Sequence, residues 1–183
     1  MQVASRQKPA VNAPGELEKL FAEHYDLIFR TAYRITGSSM DAEDVLQTLF
    51  LRLIRRQHAI DPNAGAGSYL HRAAVNAALD LVRRRNHLRN VRLDDMAAQQ
   101  LQDSKPHPDR CRSDSELRAW FRSALADLNP RRAEIFALRY LEGYSYLEIA
   151  RAVGMRRATI AVILHRTRIR LRNEIRSFLG GNA

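Results

Sequence analysis

The sequence predicts an all-α protein built as two small helical domains joined by a flexible linker. Three observations carry this expectation. Every strong apolar period falls near 3.6 residues, and no stretch alternates cleanly over five residues as a strand would. The charge is unevenly placed: residues 1–90 hold 13 basic and 9 acidic side chains, residues 91–114 hold 4 and 5, and residues 115–183 hold 13 and 6. The chain has 183 residues, which at roughly 100–200 residues per domain suits one domain or two small ones. The expected organisation is a disordered arm at 1–15, a helical module at 16–90, a linker at 91–114 containing Pro106 and Pro108, and a second module at 115–183.

In the first module, Leu17, Leu20, Phe21, Leu27, Ile28, Ala32 and Ile35 mark one helical face, and Gly37 stops that helix. Ser38 or Ser39 caps the next helix. Asp41, Glu43 and Asp44 lie in its first turn, where the helix dipole favours anions. That helix is expected to bury Val45, Leu46, Leu49, Phe50, Leu53 and Ile54. The stretch DPNAGAG at 61–67 reads as a loop, and Ser68 as the cap of a third helix running to about Arg89. A further short helical piece is expected around residues 93–101.

In the second module, Leu117, Trp120, Phe121, Ala124 and Leu125 share a face. Asn129 and Pro130 make an N-cap and N1 pair. Ile135, Phe136, Leu138 and Leu141 follow, and Gly143 ends that helix. Ser145 and Glu148 form a capping box, in which hydroxyl and carboxylate each satisfy an orphan backbone donor. Ala150 and Gly154 sit at the turn before a long helix from about Arg156 to Phe178, which makes a helix-turn-helix. Ile160, Leu164, Thr167 and Leu171 should face inward. Ala158, Val162, His165, Arg166 and Ile169 should face outward, with Arg157 and Arg168 on a flank. Eight arginines from Arg151 to Arg176 meet one acid, Glu174. Such a helix fits a DNA major groove, where arginines reach phosphates or guanine edges and apolar groups reach thymine methyls.

Composition narrows the class further. There are 30 Lys+Arg against 20 Asp+Glu, a formal net charge of +10, and all but Lys8, Lys19 and Lys105 of the basic residues are arginine. That balance favours a polyanion as partner, and the guanidinium fork suits phosphate. An apolar share of 45% is enough for a core. No run of about 18 apolar residues exists, and the first 15 lack an apolar block, so neither membrane insertion nor a secretory signal is expected. The single cysteine, Cys111, allows no internal disulfide and suits a reducing cytoplasm. His107 and Cys111 lack the two further ligands of a structural zinc site. There is no phosphate-cradling glycine loop and no metalloprotease motif. The expectation is therefore a non-enzyme with no cofactor and no metal.

Three stretches in the first module and one in the second carry a resemblance. LEKLFAEHYDLIFRTAYRITG, DAEDVLQTLFLRLIRR and SYLHRAAVNAALDLVRRR stand in order, and ALADLNPRRAEIFALRYLEGYSYLEIARAVGMRRATIAVILHRTRIRLR follows the linker. The chain resembles bacterial RNA polymerase sigma factors of the extracytoplasmic-function (ECF) group of the sigma-70 family, over roughly residues 16–90 and 115–176. The resemblance implies a region 2 helical bundle that binds the polymerase clamp and melts the −10 element, and a region 4 helix-turn-helix that reads the −35 element. It implies core RNA polymerase as partner, through the clamp helices of the largest subunit and the flap of the second-largest. Promoter DNA and an anti-sigma factor complete the implied partners, in a bacterial, nucleoid-associated, cytoplasmic setting.

Carried over by position, Asp41, Glu43, Asp44 and Gln47 form the exposed acidic helix start that docks on polymerase. Asn76 and Asp80, one turn apart, face the −10 element. Arg83, Arg84 and Arg85 hold phosphates, and Tyr69 lies near the melted strand, where stacking on bases and core packing both explain an aromatic. The loop at 58–67 lies where the family captures a flipped base, though its glycines suit any surface loop. On the −35 side stand Arg156, Arg157, Thr159, Val162, His165, Arg166 and Arg168. Two departures stand out. Ala161, Val162 and Ile163 follow Thr159 and Ile160 where the family commonly places polar base-readers, so that face reads thymine methyls, reads sequence weakly or binds a protein. Thr48 follows Gln47 where an acid is more usual. The competing reading is a stand-alone helix-turn-helix regulator, which leaves DAEDVLQ without a role.

Overall fold

The computed structural model describes residues 14–55, 66–97 and 114–180, and the described residues form seven helices. The N-terminal half is a three-helix bundle of α1 (Pro14–Thr36), α2 (Ser39–Arg55) and α3 (Ala66–Ala97). Gly37, at φ 70, ends α1 by donating to Tyr33 O at 2.7 Å. The Ser38 hydroxyl accepts from Asp41 N at 3.3 Å, so Ser38 rather than Ser39 supplies the side-chain cap of α2. Ile28, Ala32, Ile35, Val45, Leu46, Leu49, Leu70, Ala74, Val75, Ala78 and Leu79 fill the core between the three helices. Phe50 is only half-buried, and Ile54 is exposed on the last turn of α2, against expectation. The apolar stripe of α2 is narrower than its composition because Ile54 lies past the reach of the bundle.

The third helix departs most from expectation. It begins at Ala66, two residues before Ser68, and runs unbroken to Ala97, so what reads as the start of the linker continues α3. The chain from Arg83 to Asp95 contains no glycine or proline to break it. Residues 1–13, 56–65, 98–113 and 181–183, with His107 and Cys111, lie outside the described residues, whereas Pro14 and Gly15 of the expected arm belong to α1 and Ala66 and Gly67 of the expected loop belong to α3.

The C-terminal half comprises α4 (Asp114–Ala126), α5 (Pro130–Tyr140), α6 (Tyr146–Val153) and α7 (Arg157–Phe178). Leu125, Leu128, Ala133, Ile135, Leu138, Ile149, Ile160 and Leu164 form its centre. Trp120 of α4 packs on Phe178 at 5.6 Å between ring centroids and ties the two ends of this half together. The halves do not stand apart. The buried apolar residues form one cluster through both, and α3 packs on α4 and α5.

Candidate nucleic-acid interface

The helix-turn-helix is built by local chemistry. Asn129 caps α5 by accepting from Arg131 N at 3.1 Å, with Pro130 in the first turn. The capping box closes on α6, where Glu148 N donates to Ser145 Oγ at 3.2 Å and Ser145 N to Glu148 Oε2 at 2.8 Å. The hydrogen bonds from Ser145 hold the Glu148 carboxyl below its ordinary value. Gly154 ends α6 at φ 67, and Met155 N donates to Ala150 O at 3.0 Å. A residue with Cβ would be strained in that left-handed conformation. The turn sets α7 so that Ile160, Leu164, Thr167 and Leu171 are buried. Arg156, Arg157, Ala158, Thr159, Val162, His165, Arg166, Arg168 and Ile169 are exposed. The two faces of α7 are those read from the sequence.

The second candidate surface lies along α3. Tyr69 is exposed and lines a groove with Arg52, Arg55, Arg72 and Asn76, floored by Leu49, Leu53 and Leu70. The three arginines are additions to the sequence reading. The signal for Arg72 was present in the spacing, since it lies one turn before Asn76 on the same face; Arg52 and Arg55 reach the groove from α2, which no spacing along α3 reports. Asn76 is not free in this structure: its Nδ2 donates to Glu134 Oε1 of α5 at 3.1 Å. Asp80 accepts from Arg83 Nη1 at 3.1 Å, so these two residues engage each other. Arg84 is exposed, and Arg85 is ion-paired to Asp41.

That last pair corrects the expectation of an exposed acidic cluster at the start of α2. Asp41 is 4% exposed, held by Arg85 and close to Arg122 of α4, whose guanidinium lies over Gly37. Burial pushes its carboxyl up, against the pull of Arg85 and Arg122. The helix start turns Asp41 inward and leaves Glu43, Asp44 and Gln47 exposed. The periodicity of α2 contains this information, because Asp41 and Ala42 precede Val45 and Leu46 by one turn.

Two carboxylates of the C-terminal half bind the N-terminal half. Glu134 accepts from Arg72 Nε at 2.6 Å, Asn76 Nδ2 at 3.1 Å and Arg131 Nη1 at 2.9 Å. Arg72 Nη1 also reaches Ala152 O at 2.5 Å, and Arg131 Nη2 reaches Val153 O at 2.7 Å, both at the end of α6. Glu142 Oε2 is 2.5 Å from His71 Nε2, 3.1 Å from Thr31 Oγ1 and 3.2 Å from Arg34 Nη1. Tyr144 Oη lies 2.9 Å from the other ring nitrogen of His71. Burial raises both carboxyls, but the hydrogen bonds from Arg72, Asn76 and Arg131, and from His71 with the charge of Arg34, prevail and hold both low.

A depressed carboxyl pKa adds stability that is complete above the ordinary value of 4.5 and is lost as pH falls through the lower folded value. Asp41, shifted upward, works in the opposite sense. Melting temperature measured from pH 6 down to pH 3 is therefore expected to fall below pH 4.5. In E134Q/E142Q that fall should be shallower.

Among the described residues no three His, Cys, Asp or Glu side chains gather as a metal-holding group, and no helix is long and apolar enough to cross a membrane.

A helix-turn-helix with a basic outward face packs against a three-helix bundle that exposes Glu43, Asp44 and Gln47 at one helix start. Residues 20–88 match the Sigma-70 region 2 family and residues 118–171 the Sigma-70, region 4 family. The chain is 36% identical over 157 residues to the ECF RNA polymerase sigma factor SigE of Mycolicibacterium smegmatis, covering 85% of this chain and 60% of that protein. It thus spans less than two thirds of that relative's length. It is 31% identical over 160 residues to the RNA polymerase sigma-E factor of Streptomyces coelicolor, covering 87% of this chain and 86% of that one. Among solved structures it is similar to CnrH in complex with the cytosolic domain of CnrY, at TM-score 0.53 and 19% identity over 90% of each chain. It is also similar to the sigma factor RpoE in complex with the anti-sigma factor NepR from Bartonella quintana, at TM-score 0.51 and 20% identity over 87% of this chain and 98% of that one. These two support the fold. The chain belongs to the ECF sigma factors of the sigma-70 family. The stand-alone regulator reading is not favoured, since the N-terminal half matches sigma region 2.

Proposed function

We propose that this sigma factor binds core RNA polymerase and directs initiation by placing the α3 groove against the −10 element and the outward face of α7 against the −35 element. The observation that carries the reading is the outward face of α7. Arg157, His165, Arg166 and Arg168 surround the exposed apolar groups of Val162 and Ile169. That pattern suits phosphate anchoring with contact to thymine methyls, and it positions the helix more than it reads polar base edges. In region 2, Tyr69 offers a stacking face, Asn76 a donor and acceptor for a base edge, and Arg52, Arg55, Arg72 and Arg84 a cationic rim for the backbone. Glu43, Asp44 and Gln47 dock on the basic clamp helices of the polymerase, where charge complementarity supplies register and on-rate. An anti-sigma protein is the further partner, and the cytoplasm the working compartment.

Reconstituted run-off transcription with purified core polymerase on fragmented genomic DNA tests the proposal. A discrete set of start sites that depends on this chain is expected. Failure to bind core would sink the reading. Asp44→Arg is expected to weaken core binding roughly 10-fold or more, as reversal of a charge facing a complementary surface does, and to leave duplex binding by the free protein unchanged. Equal loss in both would remove Asp44 from the docking surface. Val162→Lys is expected to change the preferred −35 sequence among mapped start sites. An unchanged preference would turn Val162 away from DNA.

A further inference from the structure

A cavity of about 270 Å³ opens at the turn between α1 and α2. It shares no residue with the groove of Tyr69 and Asn76. Its lining includes Arg85 and Arg89 of α3, Arg122 of α4, and Gly37, Ser38 and Asp41. Arg85 and Arg89 are one helical turn apart and share a face. Arg122 Nη1 lies 2.7 Å from the position a Cβ would take on Gly37, so the bare glycine leaves room for the guanidinium over the turn. Asp41 is the one carboxylate in the lining, it is 4% exposed, and its ion pair is with Arg85. Among the described residues no acid forms an ion pair with Arg89 or Arg122. Asp44 and Asp127 stand outside the lining.

We infer that this cavity is a binding site for a small phosphorylated anion, held by Arg85, Arg89 and Arg122. Inorganic phosphate, pyrophosphate and the phosphate end of a small metabolite share the chemistry it recognises. Charge sets the ligand. Three guanidiniums against one carboxylate leave the lining at a formal +2. A phosphate monoester carries about −1.5 to −2 at pH 7, which neutralises that lining without reversing it. Guanidinium forks match phosphate oxygens, and such charge-assisted hydrogen bonds are stronger than neutral ones. Like charges gathered on a concave wall repel one another and focus their field on the cleft, so a dianion there relieves the repulsion. Ser38 brings the start of α2 to the same cavity, where the helix dipole adds to the field without carrying it. Size sets an upper limit. Sites for drug-sized ligands run from roughly 300 to 1,000 Å³, so 270 Å³ suits a smaller molecule. Arg122 comes from α4 and the other two arginines from α3, so one anion bridges helices of both modules. Neither Arg89 nor Arg122 belongs to the surfaces assigned to polymerase or promoter.

Calorimetric titration of the free full chain with inorganic phosphate, pyrophosphate and a 5′-mononucleotide, in chloride buffer at one ionic strength, tests the site. One site per chain is expected, and the tightest of the three probes identifies the source of the phosphate. R89Q/R122Q is expected to weaken that probe at least about 10-fold, through loss of two charge-assisted contacts. R166Q/R168Q on α7 removes the same charge and should stay within about 2-fold, because screened charges away from the cavity contribute little. Binding of none of the three probes, or an equal loss in both variants, overturns the inference. Should R89Q/R122Q misfold, the wild type decides. Its arginines are modified with phenylglyoxal and mapped by mass spectrometry, with and without the tightest probe. The probe is expected to slow modification of Arg89 and Arg122 and to leave Arg166 and Arg168 at their free rates. Equal slowing at all four, or at none, overturns the site. A single-stranded 20-mer that protects Arg89 and Arg122 better than the probe, at equal phosphate concentration, would assign the pair to nucleic acid and overturn it as well.

Discussion

Arg166→Glu/Arg168→Glu is expected to reduce promoter-dependent transcription by about 100-fold or more while leaving core binding intact. Both side chains are exposed on the outward face of α7, and neither takes part in the core of the helix-turn-helix. Removing two phosphate contacts lowers the slope of log affinity against log salt by roughly 2, and reversing the charge adds repulsion along the whole backbone. The alanine pair should show the reduced slope with a smaller loss, and both variants should weaken every promoter alike, because phosphate contacts position without specifying. Gel-shift titrations with holoenzyme at several salt concentrations measure this. An unchanged slope would take these arginines off the DNA, and a parallel loss of core binding would mean that α7 had been assigned to the wrong partner.

Leu164→Ala is expected to cost about 2–5 kcal/mol, the range for truncating a fully buried leucine. Leu164 is 1% exposed, inside the stripe that joins α7 to the core of the C-terminal half. Val162, two residues earlier, is 49% exposed on the opposite face, and Val162→Ala should stay within about 0.5 kcal/mol of wild type. Urea unfolding monitored by circular dichroism separates the two. Leu164→Ala should lower the midpoint with little change in slope, whereas comparable midpoints would mean that the inward face of α7 is not what holds the recognition helix. The pair also discriminates function. Loss of −35 binding by Leu164→Ala should follow its melting curve, while any effect of Val162→Ala should appear at full stability.

The helix-turn-helix was legible almost residue by residue, because its determinants are local. The caps at Asn129 and Ser145, the turn at Gly154 and the two faces of α7 depend on neighbours within a few positions. The contact between halves was not legible, since its bonds join residues 58, 62, 71 and 111 positions apart. Periodicity reports that a position is inward and is silent on which distant partner meets it. Glu134 carried a faint signal, as a lone acid inside the run from Ala133 to Leu138, where a buried carboxylate needs partners. Asp41 was misjudged for a different reason: an acid at a helix start was read for its dipole alone, although its spacing from Val45 turns it inward, where it meets Arg85 and Arg122. The length of α3 was underestimated because polar residues after Arg89 look like a linker, although nothing in them breaks a helix.

The unbroken α3 also sets a tolerance for change. Its 32 residues make a rod of about 48 Å, and each residue turns the rod by about 100°. Arg72 and Asn76 near one end face α5, whereas Arg85 and Asn86 face the start of α2 and α4. A single residue gained or lost between Asn76 and Arg85 would put these two sets out of phase, and no loop within the rod could absorb the error. Descendants of this sequence can therefore drift freely in side chain along the outer faces of α3, but between those two anchor points they are bound to keep count.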